Sequence, residues 1–394
     1  MTATRNFFIV IILAFCMSNM HAQDQYVWSQ RTSIPAVGRH RACGCPIGDR
    51  GYIGLGHINN TNASINYPDW WEYDPGTDSW MQKADFPPGG RYHAIAFSIG
   101  NFAYVGTGSD WGGDHDDMWQ YSPATNSWTA IAPCPGGPRS GAVAFTIGSK
   151  GYVALGDYQS DCWEYKPANN SWIGKASGLV AGYSSVVAVQ NGKAYIGIGQ
   201  GTAWQEFDPF ANAWTMKATF PGAYRFGSGC FAYNGWIYVI SGSDWVTEFS
   251  DSYAYNPNTD QWVQISDFPG QGRHYFTCFT IGSKAYGGTG TSGTNFNDFW
   301  EYGILSGMEN QMEKNDVTVF PNPVLDKAEF DFKNELTEKG TFILTDIEGK
   351  KVREETIAQN NFWIFDRKDL AAGTYVYSIT SSSKIIANGK LILQ

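Results

Sequence analysis

The 394-residue sequence has little charge for its size, and it lacks long helical patterns and long apolar runs. Only 16% of its residues are charged, the net charge is −10, and no basic segment is concentrated anywhere in the chain. Phosphate binding needs a positive field, so we expect no nucleic acid partner. Apolar residues do not recur with the helical period over long segments, which excludes a helical solenoid. Past residue 22 no segment reaches transmembrane length, so we expect no transmembrane span in the mature chain.

Cysteine is also scarce, and its placement does not define a metal site. Six of the seven cysteines follow residue 22. The Cys43-Gly-Cys45 motif has no second pair at ligand spacing, so zinc is not predicted. Cys230 and Cys278 occupy equivalent positions in successive repeats and are interpreted as small packing residues. Cys134 and Cys162 could meet on loops and form a disulfide, or stay free. The sequence predicts neither a metal nor a cofactor.

The first 22 residues have the features of a secretory signal peptide. Arg5 provides a positive start, an apolar stretch runs from Phe7 to Phe15, and Ala22 precedes a cleavage site before Gln23. A buried core helix is the alternative, but the position at the start of the chain favours a cleaved signal. We therefore expect an exported protein.

Aromatic residues are abundant, and they recur in a repeat. In its clearest copy, Trp119-Gln-Tyr121-Ser-Pro123 is followed by a closing tryptophan, Trp128. Closing tryptophans fall at positions 28, 80, 128, 172, 214 and 262, so the steps between them are 52, 48, 44, 42 and 48 residues. A period of roughly 40 to 50 residues with several short strands per unit is typical of propeller blades.

Each repeat predicts four strands. Residues 93–99 alternate in the way that suits an innermost strand, and the glycine-ended run 103–108 suits the next one, where neighbouring backbones approach closely. The last copy, Trp300-Glu-Tyr302, has no closing tryptophan after it, whereas Tyr26-Val-Trp28 has nothing in front of it. The sequence therefore predicts an all-β fold over residues 23–303, a six-bladed propeller closed by an N-terminal strand.

These repeats resemble the kelch-repeat β-propellers, such as the central domain of galactose oxidase. The resemblance covers about residues 25 to 303. The tyrosine and tryptophan positions match the family pattern, whereas its Gly-Gly pair is approximated only by Gly287-Gly288. In blade four, Trp204 lies three residues before Phe207 rather than two, which predicts a bulged third strand.

The loops between the second and third strands vary most in length and carry aromatic and acidic residues. Variable loops on a rigid scaffold favour a recognition face on which sugars or peptides stack. The predicted ligand-binding residues in these loops are Trp111, Trp245, Asp110, Asp244 and Tyr158. The Gly-Ser-Asp-Trp motif occurs twice, at 108–111 and 242–245. The alternative is that both copies are turns, with the aspartate capping the loop and the tryptophan covering a blade edge.

A second set of candidates lies eleven residues after each closing tryptophan, on the same face. The predicted ligand-binding residues at this channel mouth are Arg39, Arg91, Arg139, Tyr183, Arg225 and Arg273, with His40 and His274 next to two of them. Arginine binds carboxylates through two parallel hydrogen bonds, which favours an anionic ligand. The alternative is that the guanidinium groups satisfy loop carbonyls. The kelch resemblance also implies a mouth used for acidic peptides or sugars.

Beyond Gly303 the repeat ends. Residues 304–315 form a polar linker, and residues 316–394 carry short strands and turn signals that predict a small β-sandwich. The order of Pro321-Asn322-Pro323, Leu370-Ala-Ala-Gly373-Thr-Tyr375 and Gly389-Lys390-Leu391 resembles the C-terminal sorting domain of the bacterial type IX secretion system. The chain departs from that family in ending on Gln394, where lysine is common. The resemblance implies transit through the periplasm, recognition by the secretion machinery, and release or attachment at the cell surface.

The sequence predicts an exported binding protein whose loop face recognises a glycan or a protein ligand. The alternative is a carbohydrate-active enzyme, because kelch propellers include galactose oxidase and sialic acid mutarotase, and residues 195–204 are similar to the latter. Copper oxidation would need two tyrosines, two histidines and a cysteine, and the loops offer no such set. No paired carboxylates stand out as acid and base. Binding is therefore favoured over catalysis.

Overall fold

The computed structural model describes residues 26–59, 64–199, 201–304, 317–332, 338–346, 350–381 and 384–393. The chain divides after Gly303 into two compact units. Within the described residues the structure is all β apart from one short 3-10 turn, Pro167–Asn169. No helix in this part of the chain is long and apolar enough to cross a membrane. The predicted signal peptide and residues 305–315 of the predicted linker lie outside the described ranges.

The first unit consists of six antiparallel sheets of four strands. From the inner to the outer strand, the blades are Cys43–Ile47, Arg50–Gly54, Trp70–Asp74 and Ser79–Lys83; Ile95–Ile99, Phe102–Gly106, Met118–Ser122 and Ser127–Ile131; Val143–Ile147, Lys150–Ala154, Cys162–Lys166 and Ser171–Lys175; Val186–Gln190, Lys193–Gly197, Trp204–Asp208 and Ala213–Met216; Gly229–Tyr233, Trp236–Ile240, Ser252–Asn256 and Gln261–Ile265; and Thr277–Ile281, Lys284–Gly288, Phe299–Ile304 and Tyr26–Arg31. The first strands of neighbouring blades lie side by side in a closed ring. The predicted six-bladed propeller is confirmed.

The N-terminal strand closes the propeller, as predicted. Tyr26–Arg31 is the outer strand of the sixth blade and pairs with Phe299–Ile304. Trp28 packs against Phe268 and Tyr302, with ring centroids 5.3 and 5.1 Å apart. Arg31 forms an ion pair of 2.5 Å with Glu301 on the partner strand. The two ends of the propeller are thus joined by ladder pairing, aromatic packing and charge.

The recurring tyrosine and tryptophan have a structural role, because they fasten each blade to the one before it. In blade two, Trp128 Nε1 donates to the Ala84 carbonyl at 2.9 Å, and Asn126 accepts from the Ala84 amide at 2.9 Å. Tyr121 donates its hydroxyl to the same Asn126 side chain at 2.9 Å. Asn126 has φ of 47°, a conformation that asparagine and aspartate adopt more readily than most residues. Trp80, Trp172, Trp214 and Trp262 donate to the preceding blade in the same way.

Blade four differs from the prediction. Trp204 pairs with Gly197, and the ladder from Trp204 to Asp208 has no register shift. Trp204 is completely buried, as Met118 is in blade two at the equivalent pairing with Gly106. The predicted bulge is therefore wrong, because Trp204 fills the inward position of its strand.

The second unit is a β-sandwich of a three-stranded and a four-stranded antiparallel sheet. The strands of the first sheet, in spatial order, are Val317–Phe320, Lys327–Phe332 and Phe362–Asp366, and those of the second are Lys351–Ile357, Gly340–Asp346, Gly373–Ser381 and Lys384–Leu393. Phe330 and Phe365 from one sheet pack against Phe342 and Tyr377 from the other. The predicted small β-sandwich is confirmed.

Candidate functional site at the mouth of the propeller axis

One face of the propeller brings together the two sets of loops that the sequence singled out. Isolated bridges join the segment before a first strand to the start of the loop between the second and third strands of the same blade, as in His40 with His57 and Tyr92 with Ser109. Two of these loops form small hairpins, His57–Asn59 with Ser64–Asn66 in blade one and Ser109–Asp110 with Gly113–Asp114 in blade two. Backbone hydrogen bonds between these segments thus hold the loops of this face in position.

The five arginines predicted at the channel mouth are buried in ion pairs. Each pairs with an aspartate that immediately precedes the third strand of its own blade, and no arginine side chain is more than 4% exposed. The pairs are Arg39–Asp69, Arg91–Asp117, Arg139–Asp161, Arg225–Asp251 and Arg273–Asp298. Each guanidinium also donates to the backbone carbonyl that lies 16 residues further along the chain. The hydrogen bonds of their terminal nitrogens are therefore made within the protein, although Nε of Arg91 is buried and has no partner among the described residues.

Tyr183 does not occupy the position of the missing sixth arginine. The carbonyls of Arg91, Arg139, Arg273 and Arg39 accept from Gly56, Gly108, Gly242 and Gly290, and in blade four the carbonyl of Gly182 accepts from Gly156. Gly182 is therefore the equivalent residue. The segment that arginine anchors elsewhere is held in this blade by Gln205, whose amide bonds the backbone of Leu179 and Val180. Tyr183 therefore lies one residue after the position at which the other blades have arginine.

Six residues with positive φ surround the mouth of the axis, one from each blade. They are Arg41, His93, Gly141, Ser184, Gly227 and Tyr275. Backbone hydrogen bonds link several of them from blade to blade, including His93 to Arg41 at 3.1 Å and Ser184 to Gly141 at 3.0 Å. They line a cavity of about 160 Å³. The residues that line this mouth are two positions beyond the buried arginines in most blades, and the arginines themselves are not among them.

Arg41 is the charged residue that lines this mouth. Its Nη1 lies 2.8 Å from His57 Nε2, and its Nη2 donates to the Tyr275 hydroxyl at 3.1 Å. The guanidinium carbon lies 4.5 Å from the centre of the Tyr275 ring and 5.7 Å from that of Tyr92. Its Nε is buried and has no partner among the described residues. Arg41 is therefore held in place from two sides while part of its hydrogen-bonding capacity is unused.

Three histidines near Arg41 are kept neutral. Burial, followed by the proximity of His57 and Arg41, lowers the pKa of His40 to about 3. Burial and the charge of Arg41 lower the pKa of His57 to about 4. The pKa of His93 lies well below its usual value, because that ring is buried and close to Arg41. His93 Nε2 has no hydrogen-bond partner in the described part of the chain.

The predicted histidines lie beside the mouth rather than in its lining. His40 is 4% exposed and its Nε2 donates to Asn59 Oδ1 at 2.8 Å. His274 Nδ1 lies 2.9 Å from Glu248 Oε2. Both rings contact Tyr275, with centroids 5.6 and 4.6 Å away. His40 and His274 therefore both contact Tyr275, and Tyr275 lines the cavity.

Two of the predicted loop aromatics pack back onto the rim. Trp245 is 66% exposed, but its ring packs against Phe226, with the centroids 4.1 Å apart and the planes tilted by 34°. Tyr158 stacks on Tyr183 at 5.7 Å. Asp244 accepts the backbone N–H groups of two following residues and so caps its own turn. These contacts match the turn interpretation for Asp244 and place the aromatic rings of Trp245 and Tyr158 at the edge of the face.

Trp111 lies elsewhere, in a groove of about 490 Å³ between blades one and two. It is 68% exposed. Asp110 accepts from the Gly112 amide at 2.6 Å, and its second oxygen lies 2.9 Å from His115 Nε2. The duplicated Gly-Ser-Asp-Trp motif therefore forms two different environments.

The six described cysteines are all free thiols, so Cys134 and Cys162 do not form a disulfide. Both are buried, and burial raises the pKa of each thiol to about 12. Within the described ranges, no group of three or more histidine, cysteine, aspartate or glutamate side chains is arranged to hold a metal ion.

The residues missed by sequence reasoning had a recognisable signal. Gly141 and Gly227 occupy a position with φ of 63° and 64°, where glycine has no steric cost. Arg41, His93 and Tyr275 adopt nearly the same conformation at the equivalent positions despite their side chains. Large polar residues where other repeats have glycine indicate a functional constraint.

Comparisons with known proteins agree with this architecture. Residues 318–394 match the family of the secretion system C-terminal sorting domain. The solved structure of YjhT superposes with a TM-score of 0.59 at 19% identity, covering 68% of this chain and 95% of that one, which shows the propeller fold. The N-acetylneuraminate epimerases of Escherichia coli strain K12 and Shigella sonnei are each 34% identical over 126 residues. That match covers 30% of this chain, and the chain spans about a third (34%) of the length of these curated relatives.

The fold and the tail therefore define an exported protein with a six-bladed β-propeller. Its C-terminal unit is a type IX sorting domain, which directs the chain to the cell surface or the medium and is recognised by the secretion machinery.

Proposed function

We propose that this exported propeller binds a carboxylated sugar at the mouth of its axis, with Arg41 as the anchor. The observation that carries the proposal is the place and state of the guanidinium: Arg41 lines the cavity, its Nη1 and Nη2 are fixed by His57 and Tyr275, and its buried Nε has no partner among the described residues. A buried donor without a partner costs free energy, and a carboxylate would satisfy it through a charge-assisted bond. The binding residues of the mouth would then be Arg41, His93 and Tyr275.

The electrostatics of the mouth favour an anion. The positive charge at the mouth is that of Arg41. His40, His57 and His93 add no charge at physiological pH, because their pKa values are lowered. Neutral imidazoles can instead donate to or accept from sugar hydroxyls. The stacked rings of Tyr92 and His57 pack beside the guanidinium and help to hold it in place. These features suit an acidic sugar, and N-acetylneuraminate is the substrate class suggested by the names of the relatives.

Calorimetric titration of the full-length protein with N-acetylneuraminate tests this proposal. Replacing Arg41 with Gln should weaken binding about 10- to 100-fold, which corresponds to ~1.5–3 kcal/mol for hydrogen bonds to a charged group. The methyl ester of the sugar should bind the wild-type protein with similarly reduced affinity. Arg50→Gln is the control, because Arg50 pairs with Asp49 and Asp74 and is not part of the mouth. The proposal would be refuted if the Arg41→Gln variant bound both the acid and its methyl ester as tightly as the wild-type protein binds the acid.

A second candidate is catalysis of anomer exchange in the same sugar. Besides the similarity to N-acetylneuraminate epimerases, it is favoured by His93, which is neutral and has a ring nitrogen without a partner in the described chain. Exchange requires a proton to leave the anomeric hydroxyl and another to reach the ring oxygen while the ring bond breaks; closure on the other face reverses these transfers. A positioned neutral imidazole can take part in both transfers.

Proton NMR can separate binding from catalysis. A sample enriched in one anomer of N-acetylneuraminate should return to equilibrium faster with the protein than in buffer alone. His93→Ala should remove this acceleration while calorimetry still detects binding. If the wild-type protein binds the sugar without any acceleration, the propeller is a binding module and the catalytic candidate is excluded.

A further inference from the structure

We infer that the groove beside Trp111 is a second sugar subsite, which holds a neutral sugar linked to the acidic one at the mouth. This inference rests on the proposed function and extends it from a single sugar to an oligosaccharide. Trp111 would stack on the carbon face of the neutral ring, and polar groups of the two hairpins would bind its hydroxyls.

The groove has two walls from different blades. Ile65 and Asn66 of the blade-one hairpin form one wall, and Asp110, Trp111 and His115 of blade two form the other. Gly90 closes the base against the first hairpin, since an added Cβ would lie 2.2 Å from the Asn66 carbonyl oxygen. The hairpin backbones hold this shape through paired residues such as Ser109 with Asp114. The shape of the groove is thus held by backbone pairing and close packing.

Comparison with Trp245 shows what is particular to Trp111. Both close a Gly-Ser-Asp-Trp motif and both are about two-thirds exposed, at 68% and 66%. The Trp245 ring packs against Phe226 with the centroids 4.1 Å apart, whereas no aromatic ring of the described residues packs against Trp111. An uncovered indole beside polar side chains is the common platform for a sugar ring. Trp245 therefore serves as an internal control for Trp111.

Polar atoms at the base of the groove also lack partners. The amide oxygen and amide nitrogen of Asn66 are buried, and neither makes a well-formed hydrogen bond within the described chain, although the His57 ring is close by. Buried polar groups normally have partners. The hydroxyl groups of a bound sugar can both donate and accept, so they could satisfy both amide atoms.

Charge and position select a neutral sugar attached to an acidic one. Among the described residues, the groove lining contains the Asp110 carboxylate and no lysine or arginine, so an anionic ring would be repelled there. A chain of contacts links the mouth to the groove: His57 Nε2 lies 2.8 Å from Arg41 Nη1, and the His57 ring stacks on Tyr92 at 4.3 Å. Tyr92 in turn pairs with Ser109, the residue before Asp110. One oligosaccharide could therefore contact both places.

The test compares three probes on the full-length protein: N-acetylneuraminate, lactose, and sialyllactose, which joins the two. Sialyllactose should bind at least 10-fold more tightly than N-acetylneuraminate. Trp111→Ala should remove that difference while leaving the affinity for N-acetylneuraminate unchanged, and Trp111→Phe should restore most of it. Trp245→Ala should retain the wild-type difference. Melting temperatures verify that each variant is folded.

The outcomes separate this inference from the proposed function. Sialyllactose binding no tighter than N-acetylneuraminate overturns the inference alone, and so does an equal loss in the Trp111→Ala and Trp245→Ala variants. Lactose binding that depends on Trp111, without any binding of N-acetylneuraminate, supports the groove and refutes the function proposed for the mouth. Absence of binding for all three probes refutes both.

Discussion

The buried pairs of arginine and aspartate are expected to stabilise the propeller rather than to bind ligand, and Arg139 gives the clearest test. Arg139 is completely buried, and its Nη1 and Nη2 lie 2.7 and 2.8 Å from the two oxygens of Asp161. It also donates to the carbonyls of Leu155 and Pro135, at 3.1 and 3.2 Å. Replacement by methionine fills much of the volume but leaves the carboxylate and these carbonyls without their donor.

The size of the effect follows from these contacts. Removing one partner of a buried ion pair costs about 3–5 kcal/mol. The Asp161 side chain is 26% exposed, so water can reach it in the variant, and we expect the lower end, about 3 kcal/mol. For a unit of this size that corresponds to a decrease of about 6–12 °C in melting temperature. The surface substitution Arg50→Met should cost less than about 1 kcal/mol.

Denaturant unfolding followed by tryptophan fluorescence measures this difference. All tryptophans except Trp363 precede residue 304, so the signal reports mainly on the propeller. The double variant Arg139→Met with Asp161→Asn should lose less stability than the sum of the single variants, with a coupling of about 1–3 kcal/mol. If Arg139→Met keeps the wild-type stability but loses affinity for N-acetylneuraminate, the structural interpretation of the arginines is refuted.

Acid should weaken the same pair. Burial alone would raise the pKa of Asp161, but hydrogen bonds from Arg139 and Trp163 outweigh it and lower that pKa below its usual value. The stabilising contribution of the carboxylate is therefore present above about pH 4, and it disappears as the pH falls through the lowered pKa. Asp161→Asn should be less stable at pH 7 and should show a flatter stability profile below pH 4.

Three further predictions concern closure, export and pH. Trp28→Ala should destabilise the propeller by about 3 kcal/mol, because a large aromatic side chain is removed from the closing blade, and an unchanged melting temperature would contradict this. Deletion of residues 316–394 should leave a folded propeller in the periplasm, as measured by cell fractionation, whereas undiminished surface or medium levels would show that the tail is not required for export. Lowering the pH from about 6.5 to 4 should destabilise the wild-type protein, because His40 and His57 have lowered pKa values in the folded state and take up protons mainly when the chain unfolds. Replacing both histidines with glutamine should flatten the stability profile in that range, and an unchanged slope would argue against the lowered pKa values.

The sequence by itself determined the propeller, its number of blades and its closure. Each blade repeats the same local instructions: alternation for the inner strand, glycine where backbones approach, and the Tyr121 to Trp128 frame that fastens one blade to the next. Because every repeat contacts mainly its neighbours, a local pattern is enough to specify the whole ring. In the sandwich, strand Lys351–Ile357 is hard to recognise from sequence, because it is a charged strand at the edge of its sheet with little apolar alternation.

Only the tertiary structure decided which polar residues are available for binding. Arg139 and Asp161 are 22 residues apart in the chain, and the other arginine pairs are separated by 25 to 30 residues, so spacing alone did not show that each guanidinium has a built-in partner. The same is true of the two Gly-Ser-Asp-Trp motifs, which are identical in sequence but differ in whether Phe226 covers the ring. Local patterns fix strands and turns through short-range sterics and hydrogen bonds. Whether a polar side chain is buried and has a hydrogen-bond partner depends on which loops of neighbouring blades meet. The closed ring as a whole determines those loop contacts.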